Sequence, residues 1–242
     1  MTVVQAHAKL TLSLRINGVR PDGYHLIDAE MVTLDVHDDL EIRSGDGLEI
    51  IGNPHLEIDD NNLVRKALKV VGRQAHVTLT KRIPSGGGLG GGSADAAAVL
   101  RWAGCADLAL AVSLGADVPF CLTQGRARVT GIGEIIEPLD HVDRTFTLIT
   151  PPLHVSTPSV YAMWDRLGGP TNANGVNDLE PAALAFEPGL AMWRDKIVET
   201  TGRIPVLAGS GATWFVEGDF SYLANQLTGA TVTVARTVRK IR

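Results

Sequence analysis

Residues 83–98 read Ile83-Pro84-Ser85-Gly86-Gly87-Gly88-Leu89-Gly90-Gly91-Gly92-Ser93-Ala94-Asp95-Ala96-Ala97-Ala98. Six of the seven residues from Gly86 to Gly92 are glycine, too dense a run for ordinary turns. Glycine lets backbone N–H groups approach a ligand and take up positive φ. The alanine-rich run from Ser93 to Trp102 predicts a helix directly after the loop. Its first turn presents unpaired N–H groups and a partial positive charge, an arrangement that suits phosphate oxygens.

Other readings of the loop fit less well. A G-x-G-x-x-G match exists at Gly86, Gly88 and Gly91, but any glycine run contains one. Pro84 separates the preceding strand from the loop, and Ala111 stands twenty residues on, where a dinucleotide fold needs an acid. No Gly-Lys pair occurs, which excludes a Walker A loop. A flexible linker would have no helix joined to it.

Outward from the loop, Leu10, Leu12, Leu14 and Ile16 alternate with Lys9, Thr11, Ser13 and Arg15, the period of a half-buried strand. Turn residues follow at Asn17-Gly18 and Pro21-Asp22-Gly23. Strands are expected at 31–34, 40–42, 48–51, 77–80, 127–129, 147–149, 206–207, 213–216 and 230–237. Helices are expected at 62–71, capped from the run Asp59-Asp60-Asn61-Asn62, and at 93–102, 108–114, 160–167, 188–199 and 222–227. Strands and helices mix without strict alternation, so the fold class is α+β. Pro151-Pro152 marks the expected boundary between an N-terminal domain (1–150) and a C-terminal domain (151–242).

The chain has 242 residues and a formal net charge of −5, with no basic excess for nucleic acid. Met1 to Ala8 lacks the pattern of a secretory leader, and no apolar run is long enough to span a membrane, so a cytoplasmic protein is expected. Cys105 and Cys121 have no metal-site spacing and read as reduced core thiols.

Pro84-x-x-x-Gly88-Leu89-Gly90 with the following Gly-Gly-Ser resembles the nucleotide loop of the GHMP kinase superfamily. Four further segments resemble its 4-diphosphocytidyl-2-C-methyl-D-erythritol kinase branch: Ala8-Lys9-Leu10-x-Leu12, Asp22-Gly23-Tyr24-His25, Leu114-Gly115-Ala116-Asp117-Val118-Pro119-Phe120 and Asn177-Asp178-Leu179-Glu180-Pro181. Gly209-Ser210-Gly211-Ala212 is similar to the superfamily's third motif. The matches run in family order from residue 8 to about 216.

The resemblance implies a two-domain fold, with a ribosomal-protein-S5-like N-terminal domain and a ferredoxin-like C-terminal domain. It implies ATP and Mg²⁺ as cofactors, and transfer of the γ-phosphoryl to the 2-hydroxyl of a methylerythritol bearing a cytidine diphosphate. That step belongs to the non-mevalonate isoprenoid route. A monomer or weak homodimer is expected, without membrane or nucleic-acid partners. Two alternatives stay open: a GHMP kinase for another small alcohol, and a nucleotide-binding homologue without turnover.

By the same resemblance, Asp117 is the base and Lys9 its partner at the acceptor hydroxyl. Pro84, Ser85, Gly86, Gly87, Gly88, Leu89, Gly90, Gly91, Gly92, Ser93 and Ala94 hold the nucleotide, and Asn62 lies near its adenine. Ser93 also contacts Mg²⁺. Thr11, Tyr24, His25, Thr157 and Tyr161 face the cytidyl substrate, with the aromatic rings stacking on the base, and Gly209, Ser210 and Gly211 close the phosphate side. Read alone, Lys9 is a solvated strand charge, Asp117 and Asn62 are helix caps, and Tyr24 is a turn aromatic. The chain departs from the family in three places. Thr11 stands where Asn is usual, Ala94 where a second Ser is usual, and the stretches 72–77 and 102–114 are short.

Overall fold

The computed structural model describes residues 1–53, 58–169, 172 and 175–240. Two sheets organise it. The larger has six strands: β1 (Thr2–Val19), β2 (His25–Arg43), β3 (Gly47–Ile51), β4 (His76–Thr80), β5 (Arg126–Gly131) and β6 (Ile135–Leu139). They run in the order β3-β4-β2-β5-β6, with β1 paired to β2. Among the described strands of this sheet, β3 and β4 pair in parallel and the rest antiparallel. The smaller sheet has the order β10-β7-β9-β8, from β7 (Thr145–Thr150), β8 (Val206–Leu207), β9 (Trp214–Glu217) and β10 (Thr231–Arg236).

The α+β class expected from the sequence is what forms. Because β7 already belongs to the smaller sheet, the chain changes sheets at 140–144, ahead of Pro151-Pro152. The prolines follow a strand of the second unit; they do not precede it.

The long first strand serves both core and cleft. Leu10, Leu12, Leu14 and Ile16 are buried, as the alternation requires. Register shifts against β2 fall between His7 and Lys9, Thr11 and Ser13, and Ile16 and Gly18. Such bulges add twist. Leu10 and Leu12 enter one hydrophobic cluster, while Leu14 and Ile16 enter another. Each cluster takes side chains from both sheets: Phe146, Leu148 and Phe215 join the first, and Ile149, Trp214 and Val216 the second. The two units therefore share their interiors.

Helices α1 (Leu63–Val70), α2 (Gly91–Trp102), α3 (Leu108–Leu114) and α4 (Val118–Thr123) pack against one another, with α2 and α4 also on β1. The second unit adds α5 (Thr157–Arg166), α6 (Glu180–Phe186), α7 (Gly189–Thr201) and α8 (Leu223–Gln226). Three elements were not expected. α4 and α6 are short and carry Pro119 and Pro181 in their first turns, where proline suits a helix start but reads as a break. β6 holds Pro138 at the end of the sheet order, the place a sheet tolerates it. The separate strands expected at 31–34 and 40–42 are one continuous β2, because His37, Asp38 and Asp39 pair with β1 and Asp39 also with β4 despite their polarity, with a bulge at Asp35-Val36.

Cys105 is partly exposed and Cys121 buried, and both are free thiols. Burial, with Asp117 nearby, pushes the Cys121 thiol up to about 12, so it stays protonated and unreactive near neutrality. A thiol-disulfide reagent at pH 8 should titrate one cysteine in the native protein and two in denaturant.

Candidate active site

A cleft of about 840 Å³ opens between the glycine loop, the cleft-facing side of β1, the first turn of α5 and the loop after β8. Residues 84–93 line one wall without interruption. α2 begins at Gly91 behind Gly90, which has φ 70° and supplies no side-chain cap. The start of the helix therefore lies on the cleft wall without a capping side-chain oxygen.

Lys9 and Thr11 project from β1 into this cleft and are both nearly inaccessible, with relative exposures of 5% and 2%. The Lys9 Nζ donates to Thr11 Oγ1 at 3.0 Å and lies 3.3 Å from Asp117 Oδ2. Asp117 sits where α3 ends and α4 begins, and its side chain makes no cap hydrogen bond. The cap reading of Asp117 is therefore replaced by an ion pair. The Lys9 stem crosses Gly90 so closely that a Cβ there would come within 2.8 Å of its Cγ. The Lys9 amide donates to Leu89 O at 3.0 Å, tying strand to loop.

The loop after β8 closes the same end. The Gly209 backbone comes close enough that a Cβ would lie 3.6 Å from Lys9 Nζ. Ser210 shares a 2.7 Å hydrogen bond with Thr157. Asn177, fully buried, donates to Leu207 O and Gly209 O at 2.9 and 2.7 Å. Asp178 accepts from Arg15 and from the Ile16 amide. The Asn177–Pro181 segment is thus a strut between β1 and this loop, with no side chain in the cleft except Leu179.

Most expected site residues meet here: Lys9, Thr11, Asn62, Pro84 to Ser93, Asp117, Thr157, Tyr161, Gly209 and Ser210. Asn62 does both things expected of it, lining the cleft and capping α1 through a 2.9 Å bond from the Val64 amide. Four residues fall elsewhere. Ala94 is buried behind the wall with its amide used inside α2, donating to Gly90 O, so it has no group left for a nucleotide. Gly211 packs under the loop, against Gly88 and Leu207. Tyr24 is 57% exposed beside Arg20 and outside the cleft wall. His25 also lies outside the wall, yet its ring packs against Tyr161, tilted at 41° with centroids 4.7 Å apart.

Sequence reading missed a buried charge cluster beneath the loop. Lys81 Nζ donates to Asp38 Oδ2 at 2.5 Å and to Asp95 Oδ2 at 2.7 Å. The other Asp38 oxygen accepts from the Arg82 and Ile83 amides, where the glycine loop starts. Burial alone would lower Lys81, but the two carboxylates outweigh it and hold its pKa above the ordinary value. Burial pushes Asp95 up to about 7, against the pull of Lys81 and with the push of Asp38. Its Oδ1 is buried without a hydrogen-bond partner. No local pattern links residues 38, 81 and 95; only the Asp among the alanines of α2 hinted at it.

With this geometry in place, the comparisons locate the chain. The family described as "GHMP kinases N terminal domain" matches residues 62–125, which hold the glycine loop and α2 to α4, so the class is that of GHMP kinases. The 4-diphosphocytidyl-2-C-methyl-D-erythritol kinase of Paracoccus denitrificans is 38% identical over 87% of this chain and 84% of its own length. That of Cereibacter sphaeroides is 37% identical over 89% and 88%. A crystal structure of a 4-(cytidine 5'-diphospho)-2C-methyl-D-erythritol kinase superposes with a TM-score of 0.75 at 27% identity, covering 97% of this chain and 98% of that one. The chain belongs to the 4-diphosphocytidyl-2-C-methyl-D-erythritol kinase family. Among the described residues no helix is long and apolar enough to cross a membrane.

Two outcomes follow for the site. Gly88→Ala would put a Cβ 2.2 Å from Ala208 O at φ 73°, whereas one at Gly92 meets only Leu63 at 3.5 Å. Thermal unfolding should show Gly88→Ala destabilised by more than the roughly 1–2 kcal/mol that left-handed backbone alone costs, and Gly92→Ala near wild type. Lys81→Met leaves two buried carboxylates facing each other, and urea unfolding should register a loss of about 3–5 kcal/mol.

Proposed function

We propose that this protein transfers the γ-phosphoryl group of ATP to the 2-hydroxyl of 4-diphosphocytidyl-2-C-methyl-D-erythritol. The observation that carries the reading is the Lys9–Asp117 pair, held at 3.3 Å in the cleft that the glycine loop and Tyr161 also line. The relatives named above supply the acceptor's identity.

The triphosphate lies along Gly86 to Ser93, its oxygens accepting from loop and α2 amides. The acceptor hydroxyl sits between Asp117 and the γ-phosphorus. Its oxygen forms the new P–O bond as the bond to the β-phosphate bridge breaks, ADP leaves, and the hydroxyl proton passes to Asp117. Lys9 is oriented by Thr11 and stabilises negative charge at the reacting oxygens. Thr11 is shorter than the asparagine usual in the family, yet its hydroxyl grips the ammonium directly.

Among the described residues no group of three His, Cys, Asp or Glu is placed to hold a metal ion. Magnesium commonly keeps phosphate and water ligands and takes few from protein, so the ion would ride on the triphosphate. The Ser93 hydroxyl, on the cleft wall, is the group that would touch it, and the ion would neutralise phosphate charge during transfer.

Tyr161 is half-buried on the cleft wall, with His25 packed against it at a tilt, and supplies the face for the pyrimidine. Burial, and secondarily Asp117, raises its hydroxyl well above the usual tyrosine range, so it stays neutral.

ADP release from MgATP should occur with the cytidyl-methylerythritol and not with mevalonate or homoserine. Turnover of another alcohol, or of none by protein that binds ATP, would overturn the assignment. Asp117→Asn should cut kcat by about 100-fold or more with ATP binding retained. Tyr161→Ala should raise KM for the cytidyl substrate far more than KM for ATP, both read from initial rates.

A further inference from the structure

α5 places Tyr161, Trp164 and Asp165 at i, i+3 and i+4, one face of a helix. All three grip His25, the first residue of β2. The Tyr161 ring lies 4.7 Å from the imidazole, the Trp164 ring meets it edge-on at 5.3 Å, and Asp165 Oδ1 is 2.8 Å from its Nε2. The His25 side chain is 9% exposed, while Asp165 is 51% exposed. The other ring nitrogen, Nδ1, has no hydrogen-bond partner among the described residues and is not one of the buried unpaired atoms. It is the one polar atom of the ring left for a ligand.

A carboxylate only accepts hydrogen bonds, so the Asp165 contact requires a proton on Nε2. In the neutral ring the lone pair then falls on Nδ1, which becomes an acceptor. Cytosine carries an amine donor at the position where uracil carries a carbonyl acceptor. An acceptor beside that position pairs with the first base and sets two lone pairs against each other with the second.

We propose that Asp165 is a positioning residue that locks His25 in its Nε2–H tautomer and thereby selects an amino-pyrimidine over a keto-pyrimidine. The proposal rests on the cytidyl reading of the cleft. Asp165 touches no substrate; it acts through the imidazole. Without it, the imidazole exchanges between tautomers, and Nδ1 donates for part of the time.

Two measurements test this separately. Long-range proton–nitrogen spectra should show a single Nε2–H form of His25 in the wild type and a tautomer mixture in Asp165→Ala. Asp165→Asn, whose amide can accept as well as donate, should fall between them. The ratio of kcat/KM for the cytidyl substrate over its uridyl analogue should fall roughly tenfold in Asp165→Ala, the equivalent of one hydrogen bond. The change should appear in KM for the pyrimidine substrate with KM for ATP unmoved. An unchanged tautomer in the variant, or an unchanged ratio despite a tautomer change, overturns the proposal. If the wild type phosphorylates neither compound, the kinase reading fails; the spectra still decide the tautomer, and binding of CDP against UDP decides the selectivity.

Discussion

One buried ammonium sets the geometry of the nucleotide side. Lys81, at the end of β4, is out of water, so its charge persists only because Asp38 of β2 and Asp95 of α2 meet it. That demand fixes three elements against one another at once. The other Asp38 oxygen accepts from the Arg82 and Ile83 amides, which lead from the sheet into the glycine loop and set its direction. The loop in turn accepts the Lys9 amide at Leu89, and Lys9 reaches Asp117. The path from a charge under the loop to the Lys9–Asp117 pair is a run of direct contacts.

The opposite side is held by neutral and acidic side chains of the second unit. Asn177 and Asp178 brace the loop after β8 and the middle of β1, while Thr157 and Ser210 close the corner. Both hydrophobic clusters draw on both sheets, so the cleft is a seam within shared cores and its walls are positioned by packing as well as by hydrogen bonds.

Much of this was legible from the residues. The glycine run followed by an alanine-rich helix is a local pattern, and the structure has that loop on the cleft wall with the helix directly after it. Lys9 was visible as the polar position of an alternating strand, although its role came from motif resemblance. What stayed hidden depends on contacts far apart in sequence. The pairing of residues 38, 81 and 95, the continuity of β2 through its acidic middle, and the grip of Asp165 on His25 have no signature in neighbouring residues. Ala94 was read by its place in a motif, but helix geometry turns it inward. Tyr24, His25 and Gly211 were assigned by motif resemblance, and none of the three lines the cleft wall.

The glycine loop and the loop after β8 touch backbone to backbone. Ala212 and Thr213 amides donate to Gly86 and Gly87 carbonyls, and Gly88 rests against Ala208 O with no room for a Cβ. The loop that reads as a self-contained nucleotide motif therefore has its floor made by residues near the other end of the chain. During synthesis the N-terminal segment emerges first, and its glycine loop lacks these partners until residues 207–213 arrive. The shape of this loop is thus a property of contacts made across most of the chain's length, and the N-terminal segment alone lacks the backbone partners that hold it.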